Sequence, residues 1–425
     1  MLIEFYGENF GCFRDEFRLS MLASDIDPGS DRGIVEVKLR GDDEPLRLVR
    51  AVAIYGANGS GKSTVLRAAS VLRRLIVRSR MYRSDSPLNS YEPFALGPEG
   101  NPVRLGIKGV VNGRVYEYEI RFERTKFVSE RLTCRTPDGE RLLFHRVGQN
   151  VQGEWTKGEG FSLLSKDFRP NALLLSLADR LAPSLAKKIA VGIRRLLTPY
   201  SASTVIQPWL PEGVTVAAQR AKDNSRFAAW LLSHLKSADV GVTDLRTELV
   251  KVTPPRDSDD AGAHSNEETV EEYYRLSLLH RGSGGSFPIP YARESHGTQR
   301  LVELAPLFYD LGRFSQPTAA FVDEIDESLH PLLLQGIVRH FNCEMPLTSI
   351  RGQIIFVTHD TSLLEGEAKD AILRRDQVYL TEKDSSGAAR LYSVVEFKER
   401  NNLNLRRRYL QGRYGAIPSL GTFEE

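Results

Sequence analysis

Cysteine is scarce in this chain: 425 residues hold three, Cys12, Cys134 and Cys343, an odd number, far apart and without C-x-x-C spacing. That excludes a disulfide framework and a structural zinc site, and points to a reducing compartment. Long hydrophobic runs are lacking too: no 18-residue apolar stretch is free of charge, so no membrane-spanning helix is expected. The opening stretch Met1-Leu-Ile-Glu-Phe-Tyr-Gly has neither the basic nor the apolar region of a secretory signal. Net charge is nearly absent, with 57 Lys+Arg against 55 Asp+Glu, which removes any global electrostatic case for a nucleic acid or a membrane as partner. Internal repeats are missing, as are heptad runs long enough for a coiled-coil tether. With 41% hydrophobic residues the chain can bury real cores, and its length suggests two or three structural units. These absences leave a folded, soluble, cytoplasmic protein.

What is present begins with Gly56-Ala-Asn58-Gly59-Ser-Gly61-Lys62-Ser63-Thr64, which fits G-x-x-x-x-G-K-[ST] at every required position. Residues 48–55 are an apolar, β-branched run that predicts a buried strand, and residues 63–80 carry helical apolar spacing at Val65, Leu66, Ala69, Leu72 and Ile76. An ordinary glycine-rich turn is the plain alternative, and the strand before and helix after argue against it. In that setting the backbone N–H groups turn inward around phosphate oxygens, and the helix N-terminus adds its positive end. Lys62 then reaches the β and γ phosphates, and Ser63 is a candidate Mg²⁺ ligand. ATP and Mg²⁺ are the cofactors this stretch calls for.

Short strands are predicted near 2–6, 15–22, 33–40 and 48–55, and an antiparallel meander across 103–148 around the turns Asn112-Gly113 and Pro137-Asp-Gly139. Helical spacing follows from Asn171 to Leu197 and over 212–236. The polar run 254–268 predicts a mobile loop between strands near 244–253 and 270–280, and Gly282-Ser-Gly-Gly-Ser286 a second flexible joint. From there to about 380, helices alternate with apolar strands in the manner of a parallel α/β sheet. Four parts are expected. Residues 1–150 form an N-terminal lobe with the phosphate loop and meander, and 151–245 a helical insert acting as lid or partner-facing lobe; 246–400 form a C-terminal lobe and 401–425 a tail.

Ala319-Ala-Phe-Val-Asp323-Glu324 is a short buried strand ending in two carboxylates. Beside a phosphate loop, Asp323 can hold the Mg²⁺ shell, and Glu324 can orient or deprotonate an attacking water. A surface loop that happens to begin with two acids is the competing explanation. Gln353-Ile-Ile-Phe-Val-Thr-His359 is another apolar strand, ending in a histidine that can hydrogen-bond the γ-phosphate or the water. A lone histidine is more often structural, and here its place on the strand after the Asp-Glu strand favours function.

Taken in order, Gly56 to Thr64, Ser295-His-Gly297-Thr298, Phe321-Val-Asp-Glu324, Ser328-Leu-His-Pro331 and Thr358-His359 resemble the motifs of ABC-type ATPases of the RecF and SMC branch. Asn9-Phe-Gly-Cys-Phe13, Tyr91-Glu-Pro-Phe94, the Ser295 stretch through Arg300 and Tyr409 to Pro418 are similar to the abortive-infection group of RecF-like ATP-binding proteins. The resemblance implies an α/β fold: an ABC-type, RecF-like P-loop ATPase head with an antiparallel β subdomain and an inserted helical lobe. It implies that Ser295 and Gly297, with Thr298, contact the γ-phosphate of a nucleotide held by a partner subunit. Asp323 would then hold Mg²⁺, with Glu324 as catalytic base and His359 as switch histidine. Ser295 to Thr298 is a degenerate form of the family's signature, and Gln207 and Gln299 are the candidates for its Q-loop glutamine. That departure leaves two expectations open, slow or effector-gated hydrolysis and use of ATP mainly for assembly.

The AAA+ class is the alternative fold, and the long gap from Lys62 to Asp323 exceeds its compact core. Two roles remain open. One is an anti-phage defence ATPase that forms homo-oligomers with shared ATP sites, senses a viral trigger protein or nucleic acid, and controls a separate nuclease effector. Too few residues follow His359 for an attached nuclease domain. The other is a DNA-repair or chromosome-maintenance ATPase that binds DNA directly. Arg67, Arg73, Arg74, Arg78, Arg80 and Arg83, with Arg406 to Arg408, are the best local signal for DNA, and equally suit a solvated helix face or an acidic protein.

Overall fold

The computed structural model describes residues 1–25, 31–98, 100–157, 168–178, 185–200, 215–252, 271–313, 318–342, 352–366, 371–397 and 404–418. The loop read across 254–268, the candidate glutamine Gln207 and Cys343 lie outside the described residues. The chain divides into two compact units: residues 1–199, 314–325 and 335–425 form the first, and residues 200–313 and 326–334 the second. The boundary at 199/200 falls inside the stretch read as a helical insert.

The first unit holds two large sheets and a small two-stranded one, in which Ile34–Val37 pairs with Leu46–Val49. The meander is present as read, with Val103–Val111, Arg114–Phe122, Phe127–Thr136 and Gly139–Val147 paired in sequence, and it is larger than expected. Asn150–Gln152 extends one edge, while Leu2–Glu8 and Phe17–Ser20 extend the other, making seven antiparallel strands. Asn112 and Gly113 both take positive φ, 52° and 76°, the geometry that a two-residue hairpin turn requires.

The other large sheet has the order Thr198–Tyr200, Thr318–Val322, Gly352–Val357, Ala51–Gly56, Val378–Lys383, Ala389–Ser393. Its middle pairs are parallel: Val322 lies beside Phe356, Val357 beside Ile54, and Thr381 beside Gly56. Ala51–Gly56, Thr318–Val322 and Gly352–Val357 are buried at every position, which is why they read as apolar runs broken only by Thr318 and Gln353. Helix Lys62–Arg78 contributes Val65, Leu66, Leu72 and Ile76 to one core shared with Phe5 and Ile107 of the first sheet and Phe321 and Ile355 of the second.

The second unit packs helices Val216–Asp223, Ser225–Ser237 and His296–Arg313 with a three-stranded antiparallel sheet, Val242–Val252, Glu271–Gly282 and Gly285–Pro290. Phe227, Leu231, Leu276, Leu278, Val302 and Tyr309 are buried in its core. Thr215 and Asn224 cap two of the helices through their side-chain oxygens. The glycine run 282–286, read as a flexible joint, is instead a tight hairpin turn in which Gly282 pairs Gly285. Glycine there serves the reversal of the chain, not its mobility.

Candidate nucleotide site

The four parallel strands of the second sheet point the same way, so the loops after their carboxyl ends gather at one edge, where ligands bind in open α/β sheets. Three of those loops carry residues singled out by sequence. Gly56 follows the strand Ala51–Gly56, Asp323 and Glu324 follow Thr318–Val322, and His359 follows Gly352–Val357, the strand lying between the other two.

Glycine is required at two points of the phosphate loop. Gly56 has φ +155°, and a Cβ there would meet the Thr381 carbonyl and hydroxyl oxygens at 2.5 Å and Ser60 Oγ at 2.6 Å. Gly61 has φ +113°, with Cys12 Sγ 2.8 Å from its would-be Cβ. Between them Ser60 is buried, its Oγ 2.6 Å from Thr381 Oγ1, while Asn58 and Gly59 are exposed. Lys62 Nζ donates to the carbonyls of Gly56 and Ala57, 2.9 Å each, so its ammonium is folded across the loop, 6% exposed. Thr64 N donates to Gly61 O at 3.0 Å as the helix begins, and Cys12 Sγ lies 3.6 Å from Thr64 Oγ1.

Ser63 Oγ donates to Asp323 Oδ1 at 3.1 Å. A hydroxyl and a carboxylate oxygen side by side next to a phosphate loop fit a hard cation that keeps most of its waters, as Mg²⁺ does. Among the described residues no group of three or more His, Cys, Asp or Glu could hold a metal.

Glu324 is exposed and has φ +44°, a left-handed conformation rare for a side chain of its size. The residue after it explains this: Ile325 is fully buried, and its N–H donates to Val357 O at 3.1 Å. The chain is thus pulled back into the core, leaving the Glu324 carboxylate on the outside. His359 is exposed as well, on a turn fixed by Thr358, whose N–H donates to Ile54 O at 3.3 Å and whose Oγ1 accepts from Asp360 N at 3.0 Å.

Ser295, Gly297 and Thr298 belong to the second unit. Ser295 Oγ caps helix His296–Arg313, accepting from Thr298 N at 3.3 Å and lying 2.9 Å from Thr298 Oγ1. Thr298 is buried, Ser295 exposed, and a Cβ on Gly297 would meet Ser328 O at 2.8 Å. Gln299 spends its amide N–H groups on the carbonyls of Tyr291 and Glu294, 3.1 and 3.2 Å away, so it holds its own turn. Thr381 and Asp360 support the loop unannounced by any sequence motif, and Cys12, inside the Asn9 to Phe13 motif, reaches it by chain reversal.

The family model described as "AAA domain, putative AbiEii toxin, Type IV TA system" matches residues 51–365, from the phosphate-loop strand past His359. The chain belongs to this family. Although the description carries the word AAA, most of a second unit separates this family member's phosphate-loop strand from its Asp-Glu strand. No curated protein matches the chain. Among solved structures it is similar to an SmcHead bound to the C-winged helix domain of ScpA, at 13% identity and TM-score 0.41, covering 92% of this chain and 97% of that one. It is also similar to the SMC head domain from Thermotoga maritima, at 15% identity and TM-score 0.39, covering 92% and 98%.

Among the described residues no helix is long and apolar enough to cross a membrane. The arginine stripe is thinner than its sequence suggests. Arg67 pairs with Glu92 at 3.2 Å, Arg73 is half-buried, and Arg406 pairs with Glu365, which leaves Arg74, Arg78, Arg83 and Arg407 exposed.

Proposed function

We propose that this chain binds and hydrolyses ATP with Mg²⁺ as an ABC-type, RecF-like ATPase, and that its ATP sites are shared between copies in a homo-oligomer. The observation that carries the reading is the Ser63–Asp323 hydrogen bond beside the Lys62 ammonium, which joins a phosphate loop to an acid-tipped strand. Mg²⁺, when bound with ATP, neutralises charge on the β- and γ-phosphate oxygens. Lys62 and the loop N–H groups bind the phosphates. Glu324 takes a proton from water as its oxygen bonds the γ-phosphorus and the bond to the ADP oxygen breaks, giving ADP and phosphate. His359 orients that water or the γ-phosphate. Ser295, Gly297 and Thr298 of a neighbouring copy close the site.

For the biological role, family membership is the support. Abortive-infection membership supports a sensor and scaffold ATPase in anti-phage defence, similar to the ATPase subunit of the PARIS system. It would respond to a viral trigger protein and control a separate nuclease effector. Direct DNA binding of the repair type has one observation behind it: helix Lys62–Arg78 carries exposed Arg74 and Arg78 and no acidic residue. A steep loss of DNA affinity with salt would favour that second role.

The test is a pair of variants. Lys62→Ala loses nucleotide binding and turnover together, while Glu324→Gln keeps ATP bound and loses turnover by about a hundredfold or more. Turnover by Glu324→Gln at the wild-type rate would remove Glu324 as the base.

A further inference from the structure

The proposed function leaves the C-terminal run Tyr409 to Pro418 without a task. We infer that segment 404–418 is a strap that holds the His359 turn in register with the phosphate loop, with Arg406 and Tyr409 as its positioning residues. The inference rests on the ATPase reading for its kinetic consequence and on geometry for its placement.

Asn404 starts the helix Leu405–Leu410 by accepting from Arg407 N at 2.8 Å. From that helix Arg406 Nε donates to Thr361 Oγ1 at 3.2 Å, and the guanidinium pairs with Glu365. Thr361 and Glu365 bracket the single helical turn that immediately follows His359 and Asp360. Three residues on, the ring of Tyr409 lies against that of Tyr55, with centroids 5.8 Å apart and planes at 59°. Tyr55 is the last residue before Gly56, and its hydroxyl donates to Asp360 O at 3.0 Å. One strap side chain therefore grips the turn leaving His359 and another the residue entering the phosphate loop, while the Tyr55–Asp360 bond ties the two together.

The strap's other end is also fixed. Tyr409 Oη donates to Ala416 O at 3.3 Å, and Tyr392 Oη to Tyr414 O at 2.7 Å. Gly415 has φ +70°, and a Cβ there would come within 2.9 Å of Glu382 Oε2. The His359 turn, fixed at its start by Thr358, also keeps polar atoms that its own bonds leave unused. Asp360 Oδ1 accepts from Ser362 N at 2.8 Å, but Asp360 Oδ2 and Ser362 Oγ are buried with no hydrogen-bond partner among the described residues.

Steady-state ATPase kinetics and amide hydrogen exchange on the full chain test this together. Arg406→Ala and Tyr409→Ala should each lower kcat by about tenfold with KM for ATP kept within about twofold, the pattern for a lost transition-state contact. Tyr409→Phe, which keeps the ring against Tyr55 and gives up only the bond to Ala416 while Tyr392 still holds Tyr414, should lose about twofold or less in kcat, and the swap Arg406→Glu with Glu365→Arg should recover much of the loss. Exchange in residues 352–366 should rise in both alanine variants, with melting temperatures within a few degrees of wild type. Unchanged exchange there, or kcat and KM that worsen in step, would overturn the strap. If wild-type protein showed no turnover at all, the ATPase reading would fall, and the exchange result alone would decide the strap.

Discussion

Ser63 Oγ donates a hydrogen bond to Asp323 Oδ1 over 3.1 Å, joining residues 260 positions apart in the chain. The bond puts two hard oxygen donors where a cation beside bound phosphates would sit. Ser63→Ala removes one donor and leaves the loop backbone in place. The Mg²⁺ concentration needed for half-maximal ATP turnover should rise by about tenfold, equivalent to about 1.4 kcal/mol. A Mg²⁺ titration that overlays the wild-type curve would take this pair out of the metal's coordination.

Glu324 offers a prediction in which stability and activity part company. Its φ of +44° costs a side-chain-bearing residue about 1–2 kcal/mol. Glycine takes that conformation freely but adds about 0.5–1 kcal/mol of unfolded-state entropy. Glu324→Gly should therefore hold or slightly raise stability, by about 0.5 kcal/mol, while ATP turnover disappears. A melting temperature lowered by several degrees would show that the carboxylate holds the fold, and that its backbone strain has no functional reading.

Those two sites show how far the sequence could be read. The glycine spacing, Lys62 and the buried runs before Asp323 and His359 were legible because each is local: a period, a turn, an apolar strand. The Asn112-Gly113 hairpin and the meander were legible for the same reason. What the sequence could not show is contact between distant segments. Thr381 backs Ser60 because two strands pair in parallel, and Cys12 reaches Gly61 because the chain returns from its first strand. Glu324's left-handed backbone is set by where Ile325 must bury. Gly282 to Ser286 misled because glycine marks both loose joints and tight hairpins, and only the flanking strands decide between them.

Glu130 gives a stability prediction with a sign. It is fully buried on strand Phe127–Thr136, accepting from Tyr118 Oη at 2.8 Å and from Leu174 N and Leu175 N at 2.7 and 2.9 Å, with the Arg146 guanidinium 3.8 Å away. Burial pushes its carboxyl above the usual range, against the opposing pull of Arg146 and the N–H donors. Because the folded value is the higher one, this group's contribution is full below the ordinary carboxylate range and declines as pH rises through the folded value. Glu130→Gln leaves Arg146 without its counter-charge and should cost about 3 kcal/mol at neutral pH. The gap to wild type should widen toward pH 4, as urea unfolding at several pH values would show. A gap that narrowed on acidification would mean that Glu130 is held as a carboxylate with a depressed pKa.

The phosphate loop is half of a site under the shared-site reading, since Lys62, Ser63, Asp323 and Glu324 stand on one unit of the chain and Ser295 and Gly297 on another. Such an arrangement predicts complementation. Lys62→Ala chains cannot hold nucleotide, and Ser295→Arg chains would block the closure of a neighbour's site, so each pure oligomer should be inactive. In a mixed two-chain site, the intact phosphate loop of the Ser295→Arg chain faces the intact Ser295 of the Lys62→Ala chain. One working site then forms for each such pair, and roughly a quarter of wild-type turnover should return in an equimolar random mix. Recovery should scale with the mixed fraction, measured by mass photometry on differently tagged chains. Silent oligomers with proven mixed composition would mean that each chain completes its own site, and ATP binding would then cease to report assembly.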